Sequence, residues 1–309
     1  MPLRLFHVGF DFICPDFWKS KALTHFFSNP DDRIVNQIDD ANVLVIGCAI
    51  QERDITLITR FGGIKLMCIG EPIGKFWFTK FSDEFFTKGL YNFAIGWISN
   101  RPQRWIKYPS YYDIFHDIKA TNALVLAANL AEKRPCTLIN RHDPGNTRLP
   151  ILQELTSQGM HVVCPGLLAN NCSNDELNHI GPVEYIRKFV FNICSENFSN
   201  CQPGYVTEKL VNCCLAGAIP IYFGSLDEID SQVFNKERIL FLTHQNTKEI
   251  ADRVLEMWAN PELLEAFYRQ PVFLDTAEEA IVKIDSNIRG FFKAMSESLK
   301  PRNMKRLLF

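Results

Sequence analysis

Short, almost wholly apolar runs recur along the chain at intervals filled by helical patterns, and this alternation constrains the fold more than any other feature. In the first half the runs are RLFHVGF (4–10), NVLVIGCAI (42–50), IKLMCIG (64–70) and YNFAIGW (91–97). In the second half they are CTLIN (136–140), MHVVCPG (160–166), FVFNICS (189–195), AIPIYFG (218–224) and RILFLT (238–243). A strand covered on one face alternates apolar and polar residues, whereas one covered on both faces is apolar throughout, so these runs predict parallel strands flanked by helices. The segments between them carry helix signals. Residues 148–159 end on a glycine stop, Asn246 stands at capping-box spacing from Glu249, and Thr276 stands likewise from Glu279. Two blocks of alternation in 309 residues predict an α/β chain with two Rossmann-like, doubly wound domains facing across a cleft. The expected division is 1–130 and 131–309, with the last helix able to pack back on the first domain. Ligands of such sheets sit at the carboxyl ends of the strands.

Composition narrows the partners. A net charge of −2 disfavours a nucleic-acid polyanion, so negative ligands must be met by locally placed Arg and Lys. The opening residues form a short apolar run broken by Asp11 and Asp16, without a cleavage-type ending, and no run nears the ~18 apolar residues of a membrane span. No signal peptide or membrane anchor is therefore expected. The ten cysteines include no CxxC pair, and several lie in strand-like runs, which predicts buried free thiols rather than a zinc site or a disulfide lattice. Glycosylation sequons stand at Asn171 and Asn197. A glycan on Asn197 would block the site argued below, so the expected compartment is the cytoplasm.

The segment GYVTEKLVNCCLAGAIPIYFG (204–224) places Glu208 and Lys209 in the first turn of an otherwise apolar helix that leads into a strand. Lysine is slightly unfavourable at the positive end of a helix dipole. It becomes useful there if an anion binds, because the free N–H groups of the first turn and the ammonium then act together on a phosphate. Glu208 beside it can accept hydrogen bonds from sugar hydroxyls. The triplet by itself also fits an ordinary solvated first turn.

Its surroundings carry more. The span 191–225 resembles the signature of the alpha-1,3-fucosyltransferases, glycosyltransferase family 10. That signature is an apolar strand ending in Phe-Glu-Asn, a short loop, Tyr-(Val/Ile)-Thr-Glu-Lys, and a helix leading to an (Ile/Val)-Pro-(Ile/Val) strand. Here the parts are Ser195-Glu196-Asn197, Tyr205-Val206-Thr207-Glu208-Lys209 and Ile219-Pro220-Ile221. Upstream, Gly70-Glu71 resembles the family's Thr-Gly-Glu-Asn strand end, and Arg148 resembles its phosphate-contacting arginine. Two departures touch the donor pocket and the catalytic strand end: Ser195 replaces the aromatic before Glu-Asn, and Ile69-Gly70-Glu71-Pro72 replaces Thr-Gly-Glu-Asn.

The resemblance implies a GT-B fold, with an N-terminal acceptor domain, a C-terminal domain that binds GDP-fucose, and inverting transfer of L-fucose to a hydroxyl of a glycan acceptor. It implies no obligatory metal. Glu71 would be the general base, Arg148 and Lys209 would hold the diphosphate, and Asn197, Tyr205, Val206, Thr207 and Glu208 would complete the donor site. Glu196 reads as a structural carboxylate of the loop, and His142-Asp143 reads as a turn before Pro144-Gly145 rather than as a base. Two other readings stand beside this one: a GT-B transferase using a different nucleotide sugar, and a catalytically inactive nucleotide-sugar-binding protein.

Overall fold

The computed structural model describes residues 1–9, 27, 29–47, 50–70, 91–97, 104–113, 118–197 and 203–299. Within them the chain forms two compact units. One comprises the residues up to Tyr108 together with those from Val282 onward, and the other runs from Pro109 to Ile281.

The first unit holds six parallel strands: β1 (Arg4–Val8), β2 (Arg33–Ile34), β3 (Val43–Ile46), β4 (Ile64–Ile69), β5 (Phe93–Gly96) and β6 (Trp105–Lys107), in the order β2-β1-β3-β4-β5-β6. Every residue of β3 and of β5 is buried, as two-sided coverage requires. Helix α1 (Glu52–Arg60) follows β3, its start fixed where the Gln51 N–H donates to the Asp54 carboxylate at 2.9 Å. The Phe93 ring meets Phe291 edge-on at 5.5 Å between centroids, which brings the end of the last helix into this unit.

The second unit holds five parallel strands: β7 (Arg134–Leu138), β8 (Val162–Val163), β9 (Phe189–Ile193), β10 (Ile219–Tyr222) and β11 (Leu240–Phe241), in the order β11-β10-β9-β7-β8. This unit also holds α2 (Ile118–Ala127), α3 (Arg148–Ser157), α4 (Asp175–Ile186), α5 (Glu208–Leu215), α6 (Asp230–Val233), α7 (Thr247–Ala259) and α8 (Pro261–Tyr268), while α9 (Ala277–Ser298) begins here and from Val282 belongs to the first unit. All five residues of β9 are buried, and burying Phe189 and Phe191 contributes roughly 1.5–3 kcal/mol each relative to exposure. All nine strand-like runs of the sequence form strands, and β2 and β6 are added to them.

The division at 130 expected from the sequence falls inside this second unit, because α2 is tied to residues far downstream. The Asn122 carboxamide donates to the Phe273 carbonyl and accepts the N–H groups of Val272 and Phe273, at 2.9–3.1 Å. The Arg269 guanidinium donates to the carbonyls of Val125, Leu126 and Ala128, at and just beyond the end of α2. Earlier still, the buried Tyr111 hydroxyl donates to Asp230 at 2.8 Å. The capping box expected at Asn246 does not form either. Its carboxamide accepts the Thr243 N–H and donates to the Phe241 carbonyl, so it closes the turn after β11 instead of capping α7.

Candidate nucleotide site at a switch point

In the second sheet the chain leaves β7 toward β8 on one side and returns to pair β9 on the other. Such a reversal opens a crevice beyond the carboxyl ends of the two strands, where open α/β sheets bind their ligands. A cavity of about 600 Å³ lies there, lined by the turns after β7 and β9 and by the first turn of α5. One wall comes from α4, whose helix breaks at Gly181 (φ 80°) and Pro182, so that Leu177 and Asn178 before the break and Pro182 and Ile186 after it line the cavity. At Gly166 a side chain would sit 2.2 Å from the Asn140 carbonyl, so this lip can be built only with glycine.

Arg148 stands at the first position of α3 with 1% of its surface exposed. Its guanidinium donates to the carbonyls of His142 and Ser195 (2.5 Å each) and to Asn197 Oδ1 (2.9 Å), while its buried Nε has no partner among the described residues. Burial pulls its pKa below the ordinary arginine value, and the carboxylates of Asp143 and Glu196 act in the opposite sense. Asp143 serves the helix itself: its carboxylate accepts the N–H groups of Thr147, Arg148 and Leu149 at 2.9–3.0 Å, the turn role the sequence suggested. The acceptors of the Arg148 guanidinium are all neutral, and among the described residues it makes no ion pair, so its charge is left uncompensated there.

At the start of α5, Thr207 caps the helix by accepting the Lys209 N–H. The Lys209 ammonium, 15% exposed, donates to Thr207 Oγ1 (3.1 Å) and Glu208 Oε1 (3.0 Å) and lies 3.7 Å from Glu196 Oε2. Desolvation pulls its pKa down, but the two carboxylates outweigh it and leave the pKa above the usual lysine value. The lysine is therefore charged throughout the physiological range.

Arg148, Asn197, Glu208 and Lys209, distant in sequence, thus share one cavity wall. Tyr205, Val206 and Thr207 are buried and are absent from that wall among the described residues. Glu71 lies outside the described residues; β4, which leads to it, ends at Ile69. Sequence reasoning passed over Asn140, Asn178 and Asn212, whose positions on the cavity wall follow from the strand order and from no local pattern. It also left Glu196 outside the site, although that residue contacts two of the proposed donor residues, Thr207 and Lys209.

Two open parallel sheets, one with a cation-lined crevice at its switch point, are the architecture of a GT-B glycosyltransferase. A crystal structure of alpha1,3-fucosyltransferase matches with a TM-score of 0.68 at 16% identity, over 94% of this chain and 90% of that one. Another, of alpha1,3-fucosyltransferase with GDP-fucose, matches at 0.64 and 14% identity with the same coverage. The sequence model of glycosyltransferase family 10 (fucosyltransferase) C-term matches residues 130–285, just over half of the chain. The chain belongs to glycosyltransferase family 10. Alpha-(1,3)-fucosyltransferase B of Drosophila melanogaster is 33% identical over 106 residues, which is 33% of this chain and 23% of the fly protein. A protein of Acanthamoeba polyphaga mimivirus that carries a fucosyltransferase name is 28% identical over 110 residues, 34% of this chain and 17% of its own length. The chain thus spans less than a quarter of either curated relative. Among the described residues no helix is long and apolar enough to cross a membrane.

Proposed function

We propose that the chain moves L-fucose from GDP-fucose to a hydroxyl of a glycan acceptor, with inversion, as an alpha-1,3-fucosyltransferase-like enzyme. The observation that carries this reading is the buried Arg148 guanidinium, its Nε unpartnered among the described residues, on the same cavity as Lys209 and the first turn of α5. Two cations and a helix N-terminus suit a diphosphate, since each meets negative charge without drawing on a metal ion. No resident metal is therefore required in this account. Residues 131–309 form its donor domain, with Arg148, Asn197, Tyr205, Val206, Thr207, Glu208 and Lys209 as the donor-binding set, and residues 1–130 form its acceptor domain. The family membership and the GDP-fucose bound to one structural neighbour support the donor.

Inversion in one displacement needs a base and a stabilised leaving group. Glu71 takes the proton of the acceptor hydroxyl, whose oxygen forms the bond to the anomeric carbon as the bond from that carbon to the β-phosphate oxygen breaks. GDP departs with the new charge facing Arg148 and Lys209. Slow hydrolysis of GDP-fucose without acceptor tests the step: the released fucose is expected to appear first with the anomeric configuration opposite to the donor's, with EDTA present. Release first in the donor's own configuration would overturn inversion, and hydrolysis only with added divalent metal would overturn the metal-free account.

The cytoplasmic placement rests on the Asn197 sequon, whose glycan would block the cavity, and free thiols accord with it. Seven cysteines among the described residues are free, and burial pushes the thiols of Cys136, Cys194 and Cys214 upward and that of Cys164 to about 11. Unfolded without reductant, the protein is expected to titrate ten thiols. Pairs that resist alkylation would place it in an oxidising compartment instead.

A further inference from the structure

Glu196 follows β9 and is 2% exposed, a setting in which a carboxylate must be well partnered. Its Oε1 accepts the Thr207 N–H (2.9 Å) and the Tyr222 hydroxyl (3.2 Å), and its Oε2 accepts the Thr207 hydroxyl at 2.6 Å. Lys209 Nζ lies 3.7 Å from the same Oε2. The neighbours of Glu196 in sequence do a parallel job, since the Ser195 carbonyl and Asn197 Oδ1 both accept from Arg148. One three-residue turn therefore fixes two of the cavity's cations, Arg148 and Lys209. The Glu196 backbone N–H is itself held by the Phe223 carbonyl of the next strand segment at 2.9 Å, so the turn is anchored to the sheet. Glu196 is absent from the cavity wall among the described residues and so meets the ligand only through others.

We propose that Glu196 is the positioning residue of the diphosphate site: through Thr207 it sets the first turn of α5 and the Lys209 ammonium in place before the nucleotide arrives. This rests on the nucleotide-diphosphate reading above. The sign of one effect separates positioning from simple charge. A buried carboxylate near a diphosphate repels it, so removing that charge alone would tighten GDP binding. Removing the acceptor of the Thr207 hydroxyl releases Lys209, and that loosens binding. The positioning account requires the second effect to win.

The test measures the dissociation constants of GDP and guanosine by calorimetry for the wild type, Glu196→Gln, Lys209→Met and the double variant. Glu196→Gln is expected to weaken GDP by about ten- to hundredfold, the range for lost charge-assisted contacts, with guanosine changed by less than about threefold. In the Lys209→Met background the same change should cost GDP little more, because the two residues act as one unit. Unchanged or tighter GDP binding overturns the proposal in favour of charge alone. Equal losses for GDP and guanosine overturn it in favour of general structural support, and so does full additivity in the double variant. Should Glu196→Gln not fold, Thr207→Val must show the same GDP-selective loss and Thr207→Ser must restore it; absence of either result overturns the proposal. A wild-type protein that binds guanosine and GDP equally overturns the diphosphate reading, and this inference with it.

Discussion

Glu71→Gln is expected to leave GDP-fucose affinity nearly unchanged and to slow transfer by roughly 10²–10⁴-fold, the usual worth of a positioned general base. Glutamine keeps the size and hydrogen-bonding shape of glutamate but cannot hold a proton near neutral pH. Binding of the donor relies on Arg148, Lys209 and the first turn of α5, and none of these is altered. The kinetic signature is a loss in kcat with donor Kd preserved, the mark of an interaction made only in the transition state. Donor binding and transfer measured on the same variant decide the matter. Near wild-type turnover would remove Glu71 from the mechanism and turn attention to acidic residues at 83–84 and 113. Binding and activity lost together would show that Glu71 supports structure.

Arg148→Ala is expected to have the largest effect on the nucleotide itself. The change removes a buried cation whose Nε is unpartnered among the described residues, and it removes the guanidinium donor to the His142 and Ser195 carbonyls and to Asn197 Oδ1. Loss of charge-assisted contacts to phosphate costs roughly 1.5–3 kcal/mol, about ten- to hundredfold in GDP affinity. Transfer should fall further, because negative charge grows on the leaving diphosphate as the bond breaks. Arg148→Lys should not rescue, since an ammonium cannot reproduce a planar fork that reaches three acceptors at once. Guanosine provides the control. If guanosine and GDP lose affinity equally, Arg148 does not meet the diphosphate and its guanidinium is only the brace between His142 and Ser195.

The sequence made the sheets legible and left much of the site illegible, for physical reasons that differ by residue. Continuous apolar runs announce two-sided burial, so all nine expected strands form, β9 and β10 among them. β2 is a two-residue edge strand with no buried residue, too short to leave a pattern. Asn246 and Glu249 have capping-box spacing, yet the Asn246 carboxamide is claimed by the turn after β11, because Asn can hydrogen-bond nearby backbone in several ways. The place of α2 in the second compact unit was not legible, because its partners lie some 150 residues downstream, beyond any window of local reading. In the site, Lys209 was readable from its odd place in a helix's first turn, and Arg148 only from the family resemblance. Glu196 reads from the sequence as a structural carboxylate of the loop, but the partners it holds could not be read from its own neighbourhood. Its role follows from β9 lying beside β10, which delivers Tyr222 to one carboxylate oxygen while Thr207 takes both.

The central claim is that the crevice between β7 and β9 is built for a guanosine diphosphate sugar, and the most direct measurement is thermal stability across a nucleotide panel. A ligand that binds only the native state raises the melting temperature with concentration, gaining about 2.7 kcal/mol at one hundred times its Kd. GDP and GDP-fucose are predicted to protect the protein at lower concentration than UDP, ADP or their sugars. The protection should fall sharply in Arg148→Ala and Lys209→Met. Protection by UDP at lower concentration than GDP would contradict the donor assignment and favour a GT-B transferase for another nucleotide sugar.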